Sequence, residues 1–338
     1  MITTLWTASN LYTHTANAGA GRRRVKFLLR ALLQWPYSKR WFHYLSSHPE
    51  LAAALPHQPQ WLHKLQRPYV CTDFDCATKL RVLQQHFSIF LTQLPATLIF
   101  QLLRVPSVVV ATIEGKSQAR YRIELSLTRI MDKEGELMLT LVPEATQERL
   151  VTLAFSFSKD DAGQCQVLLG CLQGPQASGG RERFREVTKD LHGLMPKTLL
   201  VKALCALSLQ LGMNKVLAIS NRGHVHNSHW RGYHAISSDY DALWITMGGV
   251  ASSENFFQIP SWQPERNLAA VASNKRAQYQ RRQALEAGIA AQLTTLLSQS
   301  KPCSATRSLP RVGTLACGPR YKDPLPSHRV NLDVATQH

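Results

Sequence analysis

Acidic residues are scarce in this 338-residue chain, with 22 Asp and Glu against 39 Lys and Arg and a formal net charge of +17. Such a surface attracts anions, whether nucleic acid, anionic lipid or lipopolysaccharide phosphates, and does not choose among them. A basic solvated surface with a basic tail accounts for the charge equally well. Cysteine is sparse and unpaired in pattern: seven residues, an odd number, with no C-x-x-C, and Cys71 and Cys76 the closest two in a loop-like stretch. That usage is expected of a reduced, cytoplasmic protein rather than a disulfide framework. The opening MITTLWTASNLYTHT has no basic stretch followed by an apolar run, so export by the general secretory route is not expected. Long apolar runs are missing too. Phe87 to Leu103 is uncharged but carries Gln93, Pro95 and Gln101 and is barely long enough to cross a bilayer. Two buried helical pieces broken at Pro95 explain it better than a transmembrane helix. Peripheral attachment at the inner membrane stays open. No internal repeat is apparent.

What is present suffices for a substantial core. Hydrophobic residues make up 44% and charged residues 18%, which disfavours global disorder, and the length lies between one and two domains. Three regions are expected: an N-terminal helical region over 1–105, a mixed α/β core with a C-terminal basic helix over 106–297, and a disordered basic tail over 298–338. In the first, Arg22 to Trp35 sets Val25, Leu28, Leu29, Leu32 and Leu33 on one helical face and leaves Arg22, Arg23, Lys26 and Arg30 wet, with Pro36 as the stop. Helices follow around Trp41 to Leu45 and Ala77 to Phe90.

From Val108 the period changes. Tyr121, Ile123, Leu125 and Leu127 alternate with polar residues, Leu137, Leu139 and Leu141 with Met138 and Thr140, and Val151, Leu153, Phe155 and Phe157 with Thr152, Ala154, Ser156 and Ser158. The turns DKEG and DAGQ join them into an antiparallel meander. Gln166 to Leu172 is apolar on both faces and so central. Arg181 to His192 and Pro196 to Leu211 read as helices ended by Gly193 and Gly212, and KVLAIS, Lys215 to Ser220, as a short buried strand. A strand, helical crossover and strand predict a parallel pair. The fold class expected is therefore α/β (α+β), a mixed and mainly antiparallel sheet with a helical crossover and an N-terminal helical cap. Asn221 to Pro264 reads as loop-rich, and about Asn267 to Leu297 as a basic helix.

Residues able to do chemistry concentrate after the short strand. GHVHNSHWRGYH supplies His224, His226, His229 and His234, and SSDYDALW supplies Asp239 and Asp241. His-x-His with nearby carboxylates suits zinc or non-haem iron, but a polar loop with locally bonded histidines suits the same spacing, and no metal ligand is assigned. His224 as a general base beside Asp239 is chemically reasonable, because imidazole titrates near neutral pH and a carboxylate can fix its tautomer. The acidic turn Asp132 to Glu136 could supply a carboxylate base, but it sits at a hairpin bend, where charged residues ordinarily stay wet. Trp230, Tyr233, Tyr240 and Trp244 suit a pocket lining and a core alike. Lys275, Arg276, Arg281 and Arg282 in the last helix form the best candidate for contact with anionic headgroups; nucleic acid is a weaker partner, because no RNA-recognition or helix-turn-helix signature accompanies them.

IEGK from Ile113, KEGELMLTL from Lys133, AFSFS from Ala154, GCLQGP from Gly170, LHGLMPKTLL from Leu191, SNRGHV from Ser220, SSDYDALW from Ser237 and NKRAQYQRR from Asn274 occur in that order. Together they resemble the VirK/YbjX family of bacterial proteins over roughly residues 20–295. The resemblance implies a role in virulence, resistance to antimicrobial peptides and envelope or lipopolysaccharide maintenance, with lipopolysaccharide precursors or anionic lipid as partners. It assigns no reaction and no catalytic residue. The order meander, helix, short strand is also similar to the N-acetyltransferase (GNAT) fold, which implies acyl-CoA or an acyl carrier as cofactor and a site between the strands at Gln166 to Leu172 and Lys215 to Ser220. On that resemblance Gly193 and Lys197 fall at the phosphate-binding helix start, although only Gly193 matches the family's glycines and Pro196 removes a donor. Gln173 and Gly174 open a glycine-rich loop that can cradle a phosphate or merely connect, and Asn221 ends the short strand. The catalytic candidates are His224, Asp239 and Asp241. An acyltransferase-like enzyme of the envelope is one expectation, and a non-catalytic adaptor using the basic surface is the other.

Overall fold

The computed structural model describes residues 20–175, 179–227, 238–260 and 272–298. His229, Trp230, Tyr233 and His234, and the tail beyond Ser298, lie outside the described residues. The N-terminal part is helical: α1 (Ala20–Leu33), α2 (Trp35–Ser47), α3 (Pro49–Ala54), a 3-10 helix (Pro59–Gln66), α4 (Cys76–Gln93) and α5 (Ala96–Arg104). Asp75 caps α4 by accepting from the Thr78 amide at 2.8 Å, and Pro95 separates α4 from α5. Among the described residues no helix is long and apolar enough to cross a membrane.

The apolar face of α1 departs from expectation. Phe27 and Ala31 are the residues it buries, because Ala31 allows close approach and Phe27 reaches the His63 ring at 4.9 Å, while Arg30 ties the helix down through the Gln66 carbonyl. Val25, Leu29, Leu32 and Leu33 point outward and are exposed.

The sheet has eight strands in the order β1-β2-β3-β4-β5-β6-β8-β7. These are β1 (Val108–Glu114), β2 (Arg120–Leu127), β3 (Leu137–Pro143), β4 (Val151–Lys159), β5 (Cys165–Gln173), β6 (Val216–Ile219), β7 (Val250–Ala251) and β8 (Phe256–Ile259). The first five form the antiparallel meander, and β5 pairs with β6 in parallel, as the alternation and the crossover predict. The crossover holds α6 (Gly180–Asp190) and α7 (Pro196–Gln210); α8 (Tyr240–Thr246) precedes β7, and α9 (Ser273–Ser298) packs on α7 and β1. Nearly every residue of β3, β4 and β5 is buried, so both faces of the central sheet are covered, with α4 on β4 and α7 on β3, β4 and β5. The stretch read as loop after Asn221 holds α8, β7 and β8, elements too short to show a period.

One irregularity positions everything that follows. Ala154 pairs with Cys171 and Phe155 with Leu169, leaving Gly170 unopposed as a bulge in β5. The parallel pairing of β5 with β6 covers Val167 to Leu169 against Val216 to Ala218 and stops at that bulge. Beyond it the two strands part.

Candidate acid–base site at the parted strands

Parting leaves backbone groups of β5 and β6 without a ladder, and α8 supplies the partners. Tyr240 accepts at its hydroxyl from the Leu172 amide of β5 at 3.2 Å, and Trp244 donates its indole N–H to the Ile219 carbonyl of β6 at 2.7 Å. Both aromatic side chains are buried, so the expected pocket between these strands is filled instead by the α8 side chains. A cavity of about 580 Å³ lies elsewhere, between α7, α8, α9 and the end of β8, with Met195, Thr198, Val201, Ile245, Met247 and Glu286 among its walls.

Onto this framework folds the loop between β2 and β3. The bend does not stay wet: Asp132, Glu134 and Glu136 are all buried. Gly170 makes the fold-back possible, since a Cβ there would lie 2.0 Å from the Glu134 carbonyl oxygen, and one at Gly135 would lie 2.6 Å from the Phe155 amide nitrogen. Each buried carboxylate has its own cation or imidazole. Lys64 reaches Glu136 at 2.8 Å, Arg67 reaches Asp132 at 2.5 Å, and His226 reaches Glu134 at 2.8 Å. Lys64 also donates to the Asp132 and Gly135 carbonyls, so the N-terminal helical part holds the loop in place. The turn at Tyr69 to Thr72 completes the clamp, with Val70 N–H donating to the Lys133 carbonyl and Thr72 N–H to the Gly223 carbonyl.

The result is a half-exposed imidazole backed by a buried carboxylate. The His226 side chain is 47% exposed and Glu134 only 5%. Burial pushes the Glu134 carboxyl up, but the His226 hydrogen bond and the neighbouring imidazoles outweigh it and hold the group below the ordinary carboxylate range. An ionised Glu134 places the proton on His226 Nε2 and leaves Nδ1 as the basic nitrogen. His224 lies behind, stacked between His226 at 5.4 Å and Tyr240 at 5.1 Å, and its Nδ1 accepts from the His226 amide. Burial lowers it to about 4, so it is neutral near pH 7. The Cys171 thiol sits 3.7 Å from the Tyr240 hydroxyl and is pushed up to about 12 by burial, which makes it an inert core thiol.

The residues singled out from sequence distribute around this centre. His224 belongs to it, though as a buried support. Asp239 is exposed and caps α8 by accepting from the Ala242 amide at 3.1 Å and from Asn221 Nδ2 at 2.8 Å. Asp241 accepts from the Asn221 amide, and Asn221 Oδ1 from the Tyr240 amide, so these three build the α8 junction. Lys197 lies against Gly174, next to Gln173 at the end of β5, with burial lowering its ammonium. Gly193 stands apart, closed over by Arg282 and Gln278 of α9, with its amide already donating to the Thr188 carbonyl. On α9, Lys275, Arg276 and Arg281 are exposed, whereas Arg282 turns inward to the His192 carbonyl. Glu134 is the residue sequence reasoning set aside. No local signal marks it, because Glu134 and Glu136 share the parity of Met138 and Thr140 and not that of the apolar Leu137, Leu139 and Leu141. Among the described residues no group of three His, Cys, Asp or Glu is placed to hold a metal ion.

Comparison with known proteins agrees with the sequence landmarks. The model of a family described as protein of unknown function, DUF535, matches residues 17–295. The protein YbjX of Escherichia coli K12 is 30% identical over 275 residues, spanning 81% of this chain and 83% of that protein. A protein of Mannheimia haemolytica named membrane protein LapB is 24% identical over 216 residues, 64% of this chain and 90% of its own length. Among solved structures, a cAMP-binding acyltransferase from Mycobacterium smegmatis aligns with TM-score 0.28 and 10% identity, covering 62% of this chain and 60% of that one. At that score the structural likeness says nothing about activity.

Proposed function

The chain belongs to the DUF535 family, and from that premise we propose that it is an acyl-transfer enzyme working on a component of the bacterial envelope, with His226 as general base and Glu134 as the residue that orients it. The observation that carries the reading is the Glu134–His226 pair itself: a carboxylate that is buried, held below the ordinary carboxylate range and bonded to one nitrogen of a half-exposed imidazole. That is the arrangement by which an imidazole takes a proton from an attacking hydroxyl or amine. His224 and Tyr240 keep the ring stacked in one orientation. The name of the Mannheimia relative supports an envelope setting, and the resemblance to the VirK/YbjX family supports lipopolysaccharide maintenance and antimicrobial-peptide resistance as its context.

An acyl-CoA or acyl carrier is the donor class this reading requires, and the residues present fit it in part. The Lys197 and Thr198 amides open α7 and so have no partner inside the helix, and the Lys197 side chain lies against Gly174 at the end of β5, whereas the Gly193 amide is already taken. Such a donor supplies an activated acyl group; this chain's residues bind its phosphates and take the acceptor's proton. The test has two arms. Untargeted mass spectrometry of ligands that copurify with the protein is expected to find an acyl thioester or acylated envelope precursor. Glu134→Gln and His226→Gln are expected to abolish complementation of a deletion strain while leaving the amount of protein unchanged. Full complementation by both variants overturns the catalytic reading and leaves the adaptor.

A further inference from the structure

Exposed leucines need an explanation when they are contiguous and point the same way. On α1 the side chains of Val25, Leu29, Leu32 and Leu33 are 56%, 56%, 57% and 84% exposed. At about 100° per residue these four fall within roughly 100° of arc, on the side of the helix opposite the buried Phe27 and Ala31. The helix therefore anchors itself by a narrow seam and offers its widest aliphatic stripe to the outside. Arg22 lies one turn before the stripe and Lys26 along its edge, both exposed, and exposed Lys39 and Arg40 follow in α2. No acidic residue occurs between Ala20 and Arg40.

We propose that this outer face of α1 is a membrane-docking surface that seats on a bilayer bearing anionic headgroups. The composition selects the occupant. An aliphatic stripe edged by cations has both halves of its chemistry matched by acyl chains below and phosphates beside them, and aliphatic side chains enter a fluid apolar phase without needing a complementary shape. A second copy is a poorer partner, because two such faces meeting would bring Arg22 and Lys26 of each against those of the other. The face docks and does not span, since no described helix is long and apolar enough to cross. This inference is independent of the acyl-transfer reading and stands for an enzyme or an adaptor alike.

The test is co-sedimentation of the full chain with vesicles of phosphatidylethanolamine containing a minority of phosphatidylglycerol, against vesicles of phosphatidylcholine alone. Binding is expected to be about tenfold stronger or more on the anionic vesicles and to weaken with salt. Leu29→Asn with Leu33→Asn, and separately Arg22→Glu with Lys26→Glu, are each expected to weaken it by about tenfold with thermal unfolding unchanged, since both pairs are exposed. Should the double leucine variant unfold, Leu33→Trp keeps the question open to measurement: its added emission is expected to shift to the blue on vesicles. Wild-type protein that stays in the supernatant overturns the proposal. So does loss of binding in Lys275→Glu/Arg276→Glu/Arg281→Glu while the α1 variants still bind. A dimer in light scattering that Leu29→Asn/Leu33→Asn disperses, with no vesicle binding, assigns the face to a second copy instead.

Discussion

Replacing Lys64 by Met is the sharpest probe of how this site is held. Lys64 is 3% exposed and Glu136 fully buried, 2.8 Å apart, and the ammonium also serves the carbonyls of Asp132 and Gly135. Methionine keeps most of the volume and removes the charge. Breaking one partner of a buried pair costs about 3–5 kcal/mol, which for a domain of this size lowers Tm by about 6–20 °C. The pH dependence carries the argument further. Burial raises the Glu136 carboxyl above its ordinary 4.5, and Lys64 is the main group opposing that rise. A raised carboxyl means that the folded state holds a proton the unfolded state has released, so stability falls as pH climbs from 4.5 through the folded value. Without Lys64 the folded value moves higher and that window widens. The deficit of Lys64→Met relative to wild type should therefore be smallest at the acid end of the range, where protonation of Glu136 removes the charge that Lys64 opposes, and grow toward alkaline pH. Thermal unfolding followed by circular dichroism across a pH series measures it. A deficit below about 1 kcal/mol, the range of an exposed pair, or one that shrinks as pH rises, refutes the account.

Three further outcomes follow from the same geometry. Gly170→Ala places a Cβ against the Glu134 carbonyl and should cost about 3 kcal/mol, at the top of the overpacking range, visible as a lowered denaturation midpoint together with loss of complementation. Tyr240→Phe removes the acceptor for the Leu172 amide and should cost about 1–3 kcal/mol; faster hydrogen exchange at Leu172 locates the effect, and unchanged exchange there counts against the plug. His224 and His86 are held down by burial to about 4 and about 3, so the unfolded state binds the extra protons and stability is lost as pH falls from 6.5 toward those values. Urea unfolding of His224→Gln should show a flatter dependence than wild type between pH 6.5 and 4, and an equally steep one removes His224 from the explanation.

The meander was legible because its strands alternate cleanly and its turns carry glycine, and the parallel β5–β6 pair was legible because a crossover permits little else. The helix α1 was read correctly as a helix and incorrectly as to face. Periodicity shows which residues share a side; it does not say that the core lies on that side, and here Phe27 and Ala31 won the core while four aliphatic residues stayed out. The elements α8, β7 and β8 span seven, two and four residues, too few for any period to appear. Glu134 was missed for a different reason. A charged hairpin bend is ordinarily wet, and the cations that overturn this are distant in sequence: Lys64 and Arg67 precede the bend by about a whole helical subdomain, and His226 follows it from beyond β6.

These features have a common origin in one missing side chain. Because Gly170 has no Cβ, the β2–β3 loop can lie directly on β5; because β5 bulges there, its pairing with β6 ends at Leu169. The first consequence brings Glu134 inward to where the second has opened the sheet, and the opening is what α8 must fill with Tyr240 and Trp244. Filling it fixes the ring of Tyr240, on which His224 stacks, and His224 in turn accepts the amide of the residue that carries the basic imidazole. A carboxylate and an imidazole separated by ninety-two positions thus meet at 2.8 Å without either lying in a regular element of the sheet. It follows that substitutions at Gly170 and Tyr240 should disturb the Glu134–His226 pair more than substitutions at Asp239 or Asp241, whose carboxylates are spent on the α8 junction.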